Sequence, residues 1–111
     1  MTKRRTEKDR DRLGALIEEA TTDCYGPEEQ VTGLLCMIDE NVVFPFRAKV
    51  IGEAVEVLQF DCSRNGDSLD AVCKRKGKEH RVDVSSLEWI EPHPEGFEWI
   101  EAYLAWCEWN S

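Results

Sequence analysis

Apolar residues recur at i, i+3 and i+4 near both ends of the chain and alternate with polar ones between them, the periods of helix and strand respectively. From about Thr6 to Ala20 the apolar patch of Leu13, Leu16 and Ile17 on a charged segment predicts a first helix. A second is predicted from Pro27, because proline at the first helical position has a suitable φ and lacks an N–H that would be unpaired there anyway. Val31, Leu34, Leu35 and Ile38 supply its buried face, and Gly33 offers a point of close packing. The helix must stop before Pro45, since the residue preceding a proline is pushed toward extended geometry.

The middle of the chain has period two. Val55 and Val57 flank Glu56, Leu69, Ala71 and Cys73 alternate with Asp70 and Val72, and Val82 and Val84 flank Asp83, as half-buried strands require. Ser63-Arg64-Asn65-Gly66-Asp67 carries an Asn-Gly hairpin signal, and Lys76-Gly77-Lys78 reads as a tight connection. Pro94 to Trp109 returns to helical spacing, with Phe97, Ile100, Leu104 and Cys107 on one stripe and Glu98, Glu101 and Glu108 on the other side. The predicted class is α+β. A small antiparallel sheet or SH3-like barrel of four to five strands is flanked by two N-terminal helices and one C-terminal helix. No internal repeat or linker divides the chain, so residues 1–12 form a charged extension or the start of the first helix and residues 13–111 a single domain.

Composition narrows the function. The chain has 111 residues, 41% of them hydrophobic, with four tryptophans, enough apolar surface for one core. No apolar run approaches the roughly 20 residues of a membrane span, and Met1-Thr2-Lys3-Arg4-Arg5 leads into charge rather than an apolar signal core. A cytoplasmic protein is expected, with no membrane partner. The five cysteines, Cys24, Cys36, Cys62, Cys73 and Cys107, contain no CxxC pair and are expected to be reduced, mostly buried thiols.

The net charge of −9 is unevenly spread. Residues 1–12 and 47–81 are locally basic, whereas residues 13–46 and 82–111 contain no Lys or Arg at all. Two acidic blocks without internal counter-charge repel themselves and exclude nucleic acid as a natural partner. They invite a cation or a basic protein.

Individual motifs sort by how well ordinary structure explains them. Asp61-Cys62-Ser63-Arg64-Asn65-Gly66 has the opening spacing of an EF-hand loop, but Val72 stands where a bidentate Glu is required and the flanks read as strands. A hairpin turn is the expectation there. Glu28 and Glu29 suit the first turn of a helix, where the dipole favours acids. Asp39 and Glu40 fall at the opposite end of the same helix, where acids are disfavoured and need compensation. A hard cation such as Ca²⁺, which takes six to eight oxygens, would use them together with Asn41; docking on the basic middle block is the other explanation. His80 and His93 lack a nucleophile in any recognisable arrangement, and no phosphate-cradling glycine loop exists, so no enzyme is expected.

These residues also resemble a known family. Asp23-Cys24-Tyr25-Gly26-Pro27-Glu28-Glu29, then Asp39-Glu40-Asn41 before Phe44-Pro45-Phe46, the Val55-Glu56-Val57 strand and the tail Trp106-Cys107-Glu108-Trp109 look like the CcbP-type calcium-binding family, which has no EF-hands. The similarity covers roughly residues 20–109. It implies binding of calcium ions in the cytoplasm, for buffering or signalling, with Asp23, Glu28, Glu29, Asp39 and Glu40 as the candidate metal ligands. The alternative is an acidic interaction module that binds a basic protein partner without metal, with Trp99 or Trp109 as an exposed anchor.

Overall fold

The computed structural model describes residues 7–110. Two helices come first, α1 (Glu7–Ala20) and α2 (Pro27–Asn41). Strands β1 (Phe46–Val50), β2 (Glu53–Cys62), β3 (Leu69–Arg75) and β4 (Lys78–Asp83) follow, then a 3₁₀ turn Val84–Ser86, the two-residue strand β5 (Glu88–Trp89) and helix α3 (Phe97–Trp109). Pro27 does open α2, and Glu28 and Glu29 occupy its first turn. The first helix begins at Glu7 among the described residues; Thr6 lies outside them. The third starts three residues later than the spacing suggests, with Gly96 as its cap.

The sheet is antiparallel in the order β4-β3-β2-β1-β5. It is open, the first of the two alternatives expected, with β4 and β5 as its edges. Two tight turns set the registers. Ile51-Gly52 joins β1 to β2 and Lys76-Gly77 joins β3 to β4, each pair with positive φ at both residues, as the hairpin turn that matches strand twist requires. The Asn65-Gly66 signal is realised differently. A six-residue loop, 63–68, connects Cys62 to its partner Leu69, closed by Ser63 N–H donating to the Ser68 carbonyl at 2.8 Å.

Two strands escape the sequence reading. β1 alternates buried Phe46 and Ala48 with exposed Arg47 and Lys49, while β5 has only Glu88 and Trp89. In β2 the alternation slips at a bulge between Val57 and Gln59, so that Phe60 follows Val55 and Val57 onto the buried face. Val84, expected in a strand, belongs instead to the 3₁₀ turn. Asp83 caps that turn by accepting from Ser85 N–H at 2.8 Å and Ser85 Oγ–H at 2.6 Å.

The helices cover one face of the sheet. α3 is buried most widely, through Trp99, Ile100, Ala102, Tyr103, Ala105 and Trp106, because it packs against both α1 and α2 as well as bonding to the sheet. Leu69 N–H donates to the Tyr103 hydroxyl at 2.7 Å, and Trp106 Nε1–H donates to Gln30 Oε1 at 2.8 Å, so each buried polar group on this helix has a partner. Burial and the neighbouring Cys107 push the Tyr103 hydroxyl well above its usual range, and it stays neutral. Trp99, at 6% exposure, is part of the core and cannot be a surface anchor; Trp109 is exposed and lies under the Arg10 guanidinium. The five thiols are free, but only Cys73 is buried and Cys36 is exposed.

The opposite face carries charge in rows set by the registers. Arg47, Glu56, Lys74 and Glu79 are successive cross-strand neighbours, alternating in sign, the favourable arrangement. Nearer the other end of the strands, Asp61, Asp70 and Asp83 form a row of like charge, which is unfavourable unless a cation intervenes. Arg81 intervenes: its guanidinium lies 3.3 Å from both Asp61 Oδ2 and Asp70 Oδ2 and donates to the Cys62 carbonyl.

Candidate carboxylate site

Helix α2 carries acids at both ends and no basic residue in its last turn. Its N-terminal group is built by the turn from α1. Asp23 takes a left-handed conformation, φ 66°, which an aspartate tolerates better than most residues, and this swings the chain into Pro27. Glu29 Oε2 accepts from Tyr25 N–H at 2.7 Å, tying the turn to the helix. Asp23, Glu28 and Glu29 then border one shallow depression of about 470 Å³ with Cys24, Thr32, Gly33 and Cys36. Tyr25 stands beside it at 90% exposure. Glu28 also approaches the β2–β3 loop at Gly66.

Asp39 and Glu40 lie elsewhere. Eleven residues separate Glu28 from Asp39, about 16 Å along a helix, so the five candidate ligands divide into two groups. Docking on the basic middle block does not explain the second group: among the described residues neither Asp39 nor Glu40 forms an ion pair. Asp39 instead feels the charge of another acid. Partial burial, and then the negative charge of Asp61, hold its carboxyl above the ordinary carboxylate range. Asn41 does not turn toward the acids; its Nδ2–H donates to the Met37 carbonyl at 2.8 Å.

Asp61 is thus the residue that sequence reasoning missed as a neighbour of Asp39. It opens the EF-hand-like segment, which is a strand end and loop as expected, with Val72 paired to Gln59 in the sheet. Its Oδ1 accepts from Cys62 N–H at 2.9 Å and its Oδ2 meets Arg81. Only the packing of α2 on β2 brings its charge within reach of Asp39, and no spacing within the chain signals that.

The donor chemistry fits a hard cation. Around both ends of α2 most of the available donors are carboxylates, carbonyls and hydroxyls, the oxygen ligands that calcium takes, with the Cys24 and Cys36 thiols also bordering the first group. Among the described residues no three His, Cys, Asp or Glu side chains converge as a metal-holding group. A hard cation here would draw on a pair of carboxylates and complete its shell from carbonyl oxygens and water.

An α+β domain of one open sheet under three helices, with carboxylates at both ends of α2, is the class that fold and surface define. The chain belongs to the CcbP family, described as calcium binding, whose model matches residues 15–107. Two solved structures share the fold. The crystal structure of Anabaena CcbP is 21% identical, with 96% of this chain and 94% of that one covered and a TM-score of 0.72. A calcium binding protein in the calcium-binding form is also 21% identical, with the same coverage and a TM-score of 0.70. No curated protein matches the sequence.

Proposed function

We propose that this protein is a non-catalytic calcium-binding protein that acts in the cytoplasm as a Ca²⁺ buffer or signalling component. Asp23, Glu28 and Glu29 at one end of α2, and Asp39 and Glu40 at the other, are the carboxylates that would hold calcium. The observation that carries this reading is that Asp39 and Glu40 stand at the C-terminal end of α2 with no ion pair among the described residues. Partial burial, and then the charge of Asp61, raise the cost of ionising Asp39 at the helix end where the dipole also opposes negative charge, and a bound cation would offset that cost. Bound calcium would supply a doubly positive centre. The protein's part is to hold these carboxylates in place along α2 before the ion binds.

This reading gives one substitution two opposite effects. A carboxyl whose folded-state affinity for protons is raised costs the fold nothing in mild acid, and the cost grows as pH rises through the raised value. At neutral pH Asp39→Asn therefore removes a cost from the calcium-free protein. Surface charge terms are worth up to about 1 kcal/mol, so the expected rise in melting temperature is at most about 4 °C, seen by thermal denaturation in chelator. The same variant should bind Ca²⁺ on the order of tenfold more weakly by calorimetry, one pairwise charge contact being worth about 1.4 kcal/mol at a partly screened site. A variant that is less stable without calcium, or that binds calcium equally well, contradicts the assignment.

A further inference from the structure

The basic middle of the sequence has no part in cation binding, and the sheet gathers much of it on one face. Lys74, Arg75, Lys76 and Lys78 put four basic side chains at the tip of the β3–β4 hairpin, in a chain of net charge −9. Arg47 and Lys49 project from β1 on the face away from the helices. The registers set Arg47 beside Glu56, Glu56 beside Lys74, and Lys49 beside Ala54. Each of these side chains is exposed.

The short side chain of Ala54 leaves a hollow of about 410 Å³ between β1 and the hairpin tip. Four positive side chains border it, Arg47, Lys74, Arg75 and Lys76, and one negative, Glu56, a local +3. Arg75 is met by Glu53, which lowers the balance to +2, and Lys49, opposite Ala54, returns it to +3. The next acids stand one strand further out. Glu79 is opposite Lys74, and Glu88 is opposite Lys49 with its carboxylate accepting from Gly52 N–H at 3.0 Å. Among the described residues no ion pair is formed by Arg47, Lys49, Lys74, Lys76 or Glu56.

We propose that this hollow binds a small anion built of two or three linked phosphates. An anion seated on Ala54 has Arg47 and Lys49 on its β1 side and Lys74 and Lys76 on its β3 side, two strand spacings apart, roughly 10 Å. A single phosphate serves one side; a short phosphate chain meets both. An exposed charge contact is worth at most about 1 kcal/mol, so affinity here needs several charges carried close together, as linked phosphates carry them and a lone carboxylate does not. Arg47 offers a planar fork and the lysines point charges, both suited to phosphate oxygens. The surrounding net charge of −9 turns away a long polyanion and leaves the short one. Glu56, one row from Ala54 on the same face, works against the ligand.

The test uses the full chain, stripped of calcium and dialysed out of chelator, so that its outcome is independent of the calcium reading. Inorganic triphosphate is the probe, followed by calorimetry and by amide shifts in NMR. Saturable binding that weakens with salt is expected, with shift changes centred on Arg47 to Lys49, Ala54 to Glu56 and Lys74 to Gly77. Orthophosphate should bind at least tenfold more weakly. Arg47→Gln with Lys74→Gln, both exposed, should weaken triphosphate on the order of tenfold, and Glu56→Gln should tighten it severalfold. ATP without metal separates the sources: its binding supports the proposal with a nucleotide tail as ligand, and triphosphate binding alone supports it with the free anion. No binding of triphosphate, orthophosphate binding as tightly, shift changes elsewhere, or a Glu56→Gln variant that binds more weakly would each overturn the proposal.

Discussion

Gly96→Ala is expected to be the most damaging small substitution in this protein, costing about 3–5 kcal/mol. Two terms combine. Gly96 has φ +84° at the start of α3, where an L side chain costs about 1 kcal/mol or more. A Cβ there would also run into the Asn41 carbonyl and lie 2.5 Å from Asn41 C and 2.8 Å from Val42 N. These are backbone atoms at the end of α2, fixed by Val42 N–H donating to the Ile38 carbonyl at 2.8 Å and Val43 N–H to the Glu95 carbonyl at 3.0 Å. Neither side can rotate away, and overpacking of this kind costs about 1–3 kcal/mol or more. For a domain whose whole stability is about 5–15 kcal/mol, thermal and urea denaturation should show a loss of a large part of it. Because Asn41 follows Asp39 and Glu40 directly, the variant should also bind calcium more weakly wherever it still folds. A melting temperature within about 2 °C of the parent would show that the α2–α3 junction is looser than the structure has it.

Gly33→Ala should come second, at a net loss of about 1–2 kcal/mol, and it has an internal control. In a helix interior, replacing glycine by alanine normally stabilises by up to about 1 kcal/mol. Gly14 in α1, where a Cβ would meet nothing within 4 Å, should show that gain. At Gly33 the Cβ would strike the Ala20 carbonyl oxygen at the crossing of α1 and α2 and lie 3.3 Å from Cys24 Sγ. Here the packing penalty exceeds the propensity gain. Parallel denaturation of the two variants should give opposite signs; equal stabilisation would mean that the helices separate freely at this crossing. The displaced segment is the turn that holds Asp23 against Glu28 and Glu29, so Gly33→Ala reports on the first acidic group as Gly96→Ala reports on the second.

Much of this architecture is legible in the sequence because it is locally determined. Pro27 marks the start of α2, Gly33 its crossing point, and the Val55-Glu56-Val57 alternation the middle strand, each by a rule acting over a few residues. β1 carries the same period two as Phe46, Ala48 and Val50, but it is short and directly follows Pro45, whose helix-stopping role dominates the reading of that stretch. β5, with two residues, has no period to detect. The bulge in β2 and the six-residue loop after it are set by how Phe60 is drawn into the core, which is a tertiary choice. The same limit applies to the site. That α2 ends in unpaired acids follows from the absence of Lys and Arg between Leu13 and Phe46. That Asp39 feels the charge of Asp61, and that Asp61, Asp70 and Asp83 share a row, depends on helix placement and strand register, which no spacing encodes.

The two acidic groups and the basic hairpin lie in different parts of the fold, and their separation gives the sequence's charge blocks a physical meaning. On the proposed function the acids attract a hard cation, while the cross-strand row of alternating sign neutralises the middle of the sheet. The central claim is that the carboxylates of α2 bind calcium. Calorimetric titration of the chelator-stripped chain with Ca²⁺ and then Mg²⁺ at physiological ionic strength, repeated on an Asp39→Asn, Glu40→Gln double variant, tests it most directly. Saturable heat with Ca²⁺, little with Mg²⁺, and a clear weakening in the double variant is the result expected. No heat with either ion, or Ca²⁺ binding that the double variant leaves unchanged, would contradict it.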